Sequence, residues 1–281
     1  MTTLAPIDTP PIESSIPPRR ETARGTYAAA VSAEWTKVRS VRSTVWSLLT
    51  TMLITVGLGA LLTAAVVARW DRLDPIDRLT FDATARSLSG IFLAQLAIGV
   101  LGVLVIGSEY TTGSIRQTFA ATPRRRTVIA AKATVLAIVS AVVSLVGCFA
   151  AFGIGQLILK GKHVGVSLGD PNVLRAVLGG AAYLTAVSII GFSMATVLRR
   201  TPGALAALFA VVLVLPILSN ALPSPWDNNV SKLLPATAGE SLFSTRSAPD
   251  ILTTPRALIV LALWIIVTFG AAMIAVARRD T

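Results

Sequence analysis

Residues 129–159 read IAAKATVLAIVSAVVSLVGCFAAFGIGQLIL. After Lys132 the run holds no Asp, Glu, Lys or Arg through Leu159. It exceeds the ~20 residues an α-helix needs to cross a bilayer, so one end is expected to project into water. Ser140, Ser144, Gly147, Ala151 and Gly155 recur three or four residues apart. That spacing gives the helix one small-residue face, which lets a second helix approach closely. Packing within a helix bundle is the simpler use of the face, and a seam between two copies of the chain is the other.

Five further apolar runs lie at 45–68, 88–106, 174–198, 204–222 and 257–277. Trp46 and Trp70 bracket the first of them, as interfacial aromatic anchors do. The fourth and fifth runs are separated only by Arg199, Arg200, Thr201, Pro202 and Gly203. Pro and Gly make that a tight turn, so the two helices should be antiparallel neighbours. The expected fold class is all-α, a polytopic membrane protein with six transmembrane helices. Composition agrees: 14% of residues are charged, against about 25% in soluble domains.

Five of the 15 prolines fall in the first 18 residues. Residues 1–26 therefore read as an extended, disordered cytoplasmic tail. The tail lacks the apolar core of a cleaved signal peptide. Residues 27–281 read as a single transmembrane domain.

Lys and Arg set the orientation. With the N-terminus in the cytoplasm, 15 of the 25 basic residues lie on the inner side, for a net +9 inside and +2 outside. The positive-inside rule then favours two cytoplasmic termini in a cell (inner or plasma) membrane. The overall net charge of +11 is accounted for by these flanking segments and implies no nucleic-acid partner.

Several chemistries are excluded. Cys148 is the one cysteine and His163 the one histidine, so disulfide, zinc-ribbon and His-rich metal sites cannot be built. No acidic or basic residue lies well inside a span, which disfavours transport driven by a buried carboxylate. Sodium coupling through backbone carbonyls stays open. The nearest approach to a phosphate-binding loop, Gly155 to Gly161-Lys162, has one residue too many and follows no strand. The chain is therefore expected to hold no cofactor, metal or catalytic residue, and not to be an enzyme. The polar residues within the spans are mild. Gln95, Gln156 and Asn220 are the candidate translocation-path residues, with helix–helix hydrogen bonding as the competing use. Thr185, Ser188, Ser193 and Thr196 of the fourth span read the same way.

A helix over about 27–43 is expected before the first span. Val31, Trp35 and Val38 share one side and Lys37 and Ser40 the other, while Glu34 and Arg42 intrude on the apolar sector. It is either an interfacial helix or a plain lead-in to the span.

The loop from 108 to 132 reads SEYTTGSIRQTFAATPRRRTVIAAK. Gly113 punctuates it, and Ser114 can cap a short helix over 114–121. Ile115 and Phe119 share a face of that helix, and Pro123 ends it. Arg124, Arg125 and Arg126 follow, and then Lys132 at the start of the third span. Such an element can transmit force from a docked soluble partner. Alternatively, its arginines only satisfy topology and anionic lipid head groups.

This loop resembles the one after the second helix in permease subunits of type-2 ABC exporters, which export drugs, antibiotic peptides, sodium and polysaccharides. The matching residues are Glu109-Tyr110, Gly113-Ser114-Ile115-Arg116, Pro123 to Arg126, and Lys132. The lead-in AEWTKVRS at 33–40 resembles that family's segment before its first helix. The resemblance implies a dimer of permeases, two copies or a copy and a homologue, assembled with separate ABC ATP-binding (ATPase) subunits. It makes 114–121 the coupling helix, with Glu109, Gly113, Ser114, Ile115, Arg116, Phe119, Pro123, Arg124, Arg125, Arg126 and Lys132 as the coupling residues. It also places short re-entrant helices in the segment 223–256, before the last span. Membrane lipids are the remaining partner. The alternative readings are a stand-alone secondary transporter or channel, and a membrane anchor or sensor that recruits a partner.

Overall fold

The computed structural model describes residues 23–121, 124–219, 221–223, 226–246 and 251–278. Most of the proline-rich tail, Pro123 and Asn220 lie outside the described residues. Six helices are long and apolar enough to cross a membrane, and no strand occurs among the described residues. The described residues begin with α1 (Ala23–Ser40), which takes in the last four residues of the expected tail. One non-helical residue, Val41, separates it from α2 (Arg42–Ala68), the first membrane-length helix.

The short α3 (Pro75–Leu79) and α4 (Ala83–Ser87) then lead into α5 (Ile91–Thr112). Next come α6 (Ser114–Ala121), α7 (Arg125–Leu159) and α8 (Val173–Leu198). The fifth long helix is composite: α9 (Thr201–Phe209), a π-helical stretch over Ala210–Val214, and α10 (Leu215–Ser219). Pro216 has no N–H to give the carbonyl four residues back, and its ring crowds that turn. A wider turn just before it relieves the clash. After α11 (Trp226–Ser231) and α12 (Pro235–Phe243), α13 (Thr254–Arg278) closes the bundle.

At about 1.5 Å per residue, the 35 residues of α7 reach roughly 52 Å. The hydrocarbon core is about 30 Å thick, so α7 overshoots it, as its length predicted. Helix α8 is the hub, packed by α5, α7, α9, α12 and α13. The crossing with α5 is tight. A Cβ on Gly102 would lie 2.0 Å from the Ser188 carbonyl oxygen, and one on Gly191 would lie 2.6 Å from that of Gly99.

The small face of α7 is buried along its length, from Ser140 to Gly155. It meets α2 and α4: a Cβ on Gly147 would touch Thr55, and one on Gly155 would strike Ser87. The face thus serves packing within one chain and not a seam between copies.

Helix α2 is turned the other way from a helix in water. Its buried residues are Thr44, Thr51, Thr55, Gly59 and Thr63, while Leu49, Leu53 and Leu61 are exposed. Lipid solvates leucine as well as a protein core does, so the polar and small residues go inward. The hydroxyls of Thr51, Thr55 and Thr63 each donate to the carbonyl four residues back, at 2.7–2.9 Å.

The segment before α13 folds back on the bundle. Helix α12 packs on α8 and α13, with Gly239 against the Tyr183 ring and Leu242 against Gly179. Helices α3, α4, α11 and α12 gather at one end of the bundle, and α6 lies at the other.

Candidate functional site

The α6 end is built from the two stretches of sequence singled out above. Helix α5 stops at Gly113, which takes a left-handed conformation with φ 73°. Glycine reaches that region without strain, and the chain can then turn directly into α6. The predicted bounds of the short helix, 114–121, are the observed ones. The Ser114 hydroxyl lies 3.1 Å from that of Thr112.

Ile115 and Phe119 do share a face, but it is turned into the protein. They are 3% and 7% exposed and belong to the same apolar cluster as Val128 and Ile129 of α7. The Arg125 guanidinium sits 5.6 Å over the Phe119 ring. The outward surface of this end consists instead of Arg116, Gln117, Ala120, Arg124 and Arg126. Truncating a buried Phe to Ala costs ~3–5 kcal/mol. Phe119→Ala should therefore release α6 from α7, read as faster amide exchange over residues 113–121 in detergent. Wild-type protection there would show that the ring does not anchor the helix.

At the base of α6 a cluster of four charges joins three helices. Lys132, on α7, donates to Glu34 Oε2 and to Glu109 Oε1, each at 2.6 Å. Lys37, on α1, donates to Glu34 Oε1 at 3.0 Å and to Glu109 Oε1 at 3.3 Å. The Lys132 side chain is 1% exposed, that of Glu34 8% and that of Glu109 14%. Two carboxylates and two ammonium groups leave the cluster neutral, so α1, the end of α5 and the start of α7 are joined without net buried charge.

The second oxygen of Glu109 is buried without a hydrogen-bond partner. Burial pulls the Lys37 ammonium pKa down, but the hydrogen bond it donates to Glu34 and the fields of Glu109 and Glu34 outweigh it, and the pKa is raised. Its contribution is thus full at neutral pH and is lost only as pH rises past the ordinary lysine value near 10.5. A further bond, Tyr27 to Thr134 at 2.8 Å, ties α1 to α7. Glu34 was the residue that spoiled the apolar sector of α1 in the sequence, while Trp35, counted on that sector, is 43% exposed. An acid on the inward side of an interfacial helix needs a buried cation, and that mismatch was the available signal.

The sequence of residues 30–220, well over half of the chain, matches the family described as ABC-2 family transporter protein. The chain belongs to this family. No curated protein matches it. The ABC-2 chain is a multi-pass membrane protein and the transmembrane permease component of an ABC transporter, a part that is not itself catalytic. Glu34, Lys37, Glu109 and Lys132, which carried the resemblance from positions far apart in sequence, form one cluster in the folded permease.

The candidate path residues are placed differently from one another. Gln156 is fastened to the far end of the bundle: its Nε2 donates to the Ala83 carbonyl at 3.3 Å and to Ser87 Oγ at 3.1 Å, and its Oε1 accepts from the Val166 N–H at 2.8 Å. Gln95 is 2% exposed, accepts a hydrogen bond from the Tyr183 hydroxyl, and donates to the Phe92 carbonyl at 2.8 Å. It lines a cavity of about 1080 Å³ at the α12 end; Gln156 does not. The span-four hydroxyls are used inside the bundle. Ser188 donates to Ser140 at 3.0 Å across to α7, and Thr185, Ser193 and Thr196 bond back to their own helix.

Proposed function

We propose that this permease works as an exporter, paired with a second permease and driven by a separate ATP-hydrolysing subunit that docks on the α6 end. On this reading the α6 end faces the cytoplasm and the cavity holding Gln95 opens towards the other side. The observation that carries it is the four-charge cluster at the base of α6. A helix held by its apolar face, with α1, α5 and α7 cross-linked beside it, can move as one body when pushed. A loop that served only to satisfy topology would need no such bracing. The docking surface on this reading is polar and excludes the buried Ile115 and Phe119: Arg116, Gln117, Arg124 and Arg126 face outward. They suit an acidic groove on the ATPase. ATP would then bias the permease pair between two conformations through its differential contact with this surface.

The test is affinity purification of the tagged chain from its host in mild detergent. A chain bearing GxxxxGK[ST] should co-purify in near-equal amount. The triple variant Arg116→Glu/Arg124→Glu/Arg126→Glu should lower its recovery at least tenfold while the permease still elutes as the wild type does. Unchanged recovery would place the ATPase elsewhere, and absence of any ATPase from the wild type would sink the reading.

A further inference from the structure

We infer that α1 lies along the membrane surface at the α6 end of the bundle and binds anionic phospholipid there. Tyr27 and Glu34 are seven residues apart, about 10 Å along α1. Their partners on α7, Thr134 and Lys132, are two residues apart, about 3 Å along that helix. Helices running side by side would pair at equal spacing, so α1 crosses α7. The crossing falls at Lys132, the last charged residue before the apolar run that continues through Leu159. A helix that crosses a membrane-spanning one at the start of its apolar run lies in the interface. Val41, extended at φ −85° and ψ 110°, then turns the chain into α2.

The side of α1 away from the protein is cationic. Glu34 is the single acid between residues 23 and 70, and it is turned inward onto Lys132 and Lys37. Arg39 and Arg42 are exposed and enter no ion pair among the described residues. Each has a tryptophan four residues away on its own helix, Trp35 on α1 and Trp46 on α2, 43% and 69% exposed. Residues four apart share a helix face. An arginine and an indole therefore stand together on either side of the bend, as groups of the head-group layer do. Trp35, Thr36, Arg39 and Ser40 line a recess of about 330 Å³. The hydroxyls of Thr36 and Ser40 each donate to a carbonyl of their own helix at 3.0 Å, which leaves the Arg39 guanidinium as the donor on offer. That set suits a phosphate and offers a cationic partner nothing. A basic residue near an anionic bilayer surface favours binding on the order of fivefold. Because the four-charge cluster ties α1 to α5 and α7, lipid held here steadies the base of α6.

The test uses the purified full chain in vesicles of equimolar phosphatidylglycerol and phosphatidylcholine, with one lipid or the other brominated in its acyl chains to quench indole emission. The emission of Trp35 and Trp46 is obtained by subtracting that of Trp35→Phe/Trp46→Phe, which exchanges two exposed rings and keeps the fold. We expect brominated phosphatidylglycerol to quench this pair more effectively than brominated phosphatidylcholine, by roughly fivefold or more. Arg39→Gln/Arg42→Gln should remove the preference while elution stays that of the wild type. Arg39→Lys/Arg42→Lys should keep most of it, since charge is what selects the lipid. Equal quenching by the two lipids in the wild type, or a preference that survives Arg39→Gln/Arg42→Gln, would overturn the anionic selection. Quenching by neither lipid would mean that water or a protein covers this face, and would overturn the membrane placement. None of these outcomes depends on an ATPase, whose recovery is measured separately.

Discussion

Lys132→Met should lower the unfolding midpoint of the detergent-solubilised protein by roughly 10 °C. The substitution keeps most of the side-chain volume and removes the ammonium that two buried carboxylates share. Breaking a buried ion pair from one side costs ~3–5 kcal/mol, because the partner is left desolvated and unpaired. In a chain of this size each kcal/mol moves the midpoint by about 2–4 °C. Glu34 and Glu109 are both affected, since Lys132 holds each at 2.6 Å. The triple variant Lys132→Met/Glu34→Gln/Glu109→Gln should regain most of the loss, because replacing a buried charged set as a whole is often close to neutral. Recovery in the triple variant is what separates an electrostatic cause from a packing one. A single variant as stable as wild type would mean that water reaches the cluster, and that α1 is not braced through it.

Gly102→Ala should also be damaging, although it adds only one methyl group. In a helix interior, glycine to alanine is ordinarily favourable by ~0.5–1 kcal/mol. Here the new carbon would lie 2.0 Å from the Ser188 carbonyl oxygen and 2.9 Å from its carbon. Backbone cannot rotate away as a side chain can, so α5 and α8 must separate. Overpacking of well-packed cores typically costs ~1–3 kcal/mol, and this contact is with the hub helix. We expect loss of folded protein in detergent, read by gel filtration of the expressed variant. Gly57→Ala and Gly153→Ala are the controls, since a Cβ at either position meets nothing within 4 Å. They should elute and unfold as the wild type does. Tolerance of Gly102→Ala equal to theirs would refute the close crossing.

The six long helices were legible because hydrophobic length is a direct consequence of bilayer thickness, and their ends shifted by only a few residues. Helix α6 was legible to the residue, since Gly113 before it and Pro123 after it act locally. The inward faces were less so. On α1 the sequence put Val31, Trp35 and Val38 on one side without saying which side meets the protein, and Glu34 is the buried residue because it has Lys132 to meet, 98 residues on. No local pattern contains that distance. For the same reason Ile115 and Phe119 could be recognised as one face but not assigned a direction. The threonine face of α2 was missed because the rule that apolar residues point inward reverses in lipid. The short helices α3, α4 and α11 have too few residues for a periodic signal and take their shape from what they rest on.

The ion cluster and the threonine face of α2 also bear on how the chain is made. Synthesis proceeds from the N-terminus, so Glu34 and then Glu109 leave the ribosome before Lys132 does. When the cation reaches the membrane, both of its acceptors are already in place, and it need not wait unpaired in lipid. The hydroxyls of Thr51, Thr55 and Thr63 need not wait for a partner, because each donates to a carbonyl of its own helix, with the Arg86 carbonyl a second acceptor for Thr63 at 3.3 Å. That helix can therefore stand alone in the bilayer until α7, made some eighty residues later, arrives to cover it. The order of the residues along the chain is thus also a workable order of assembly.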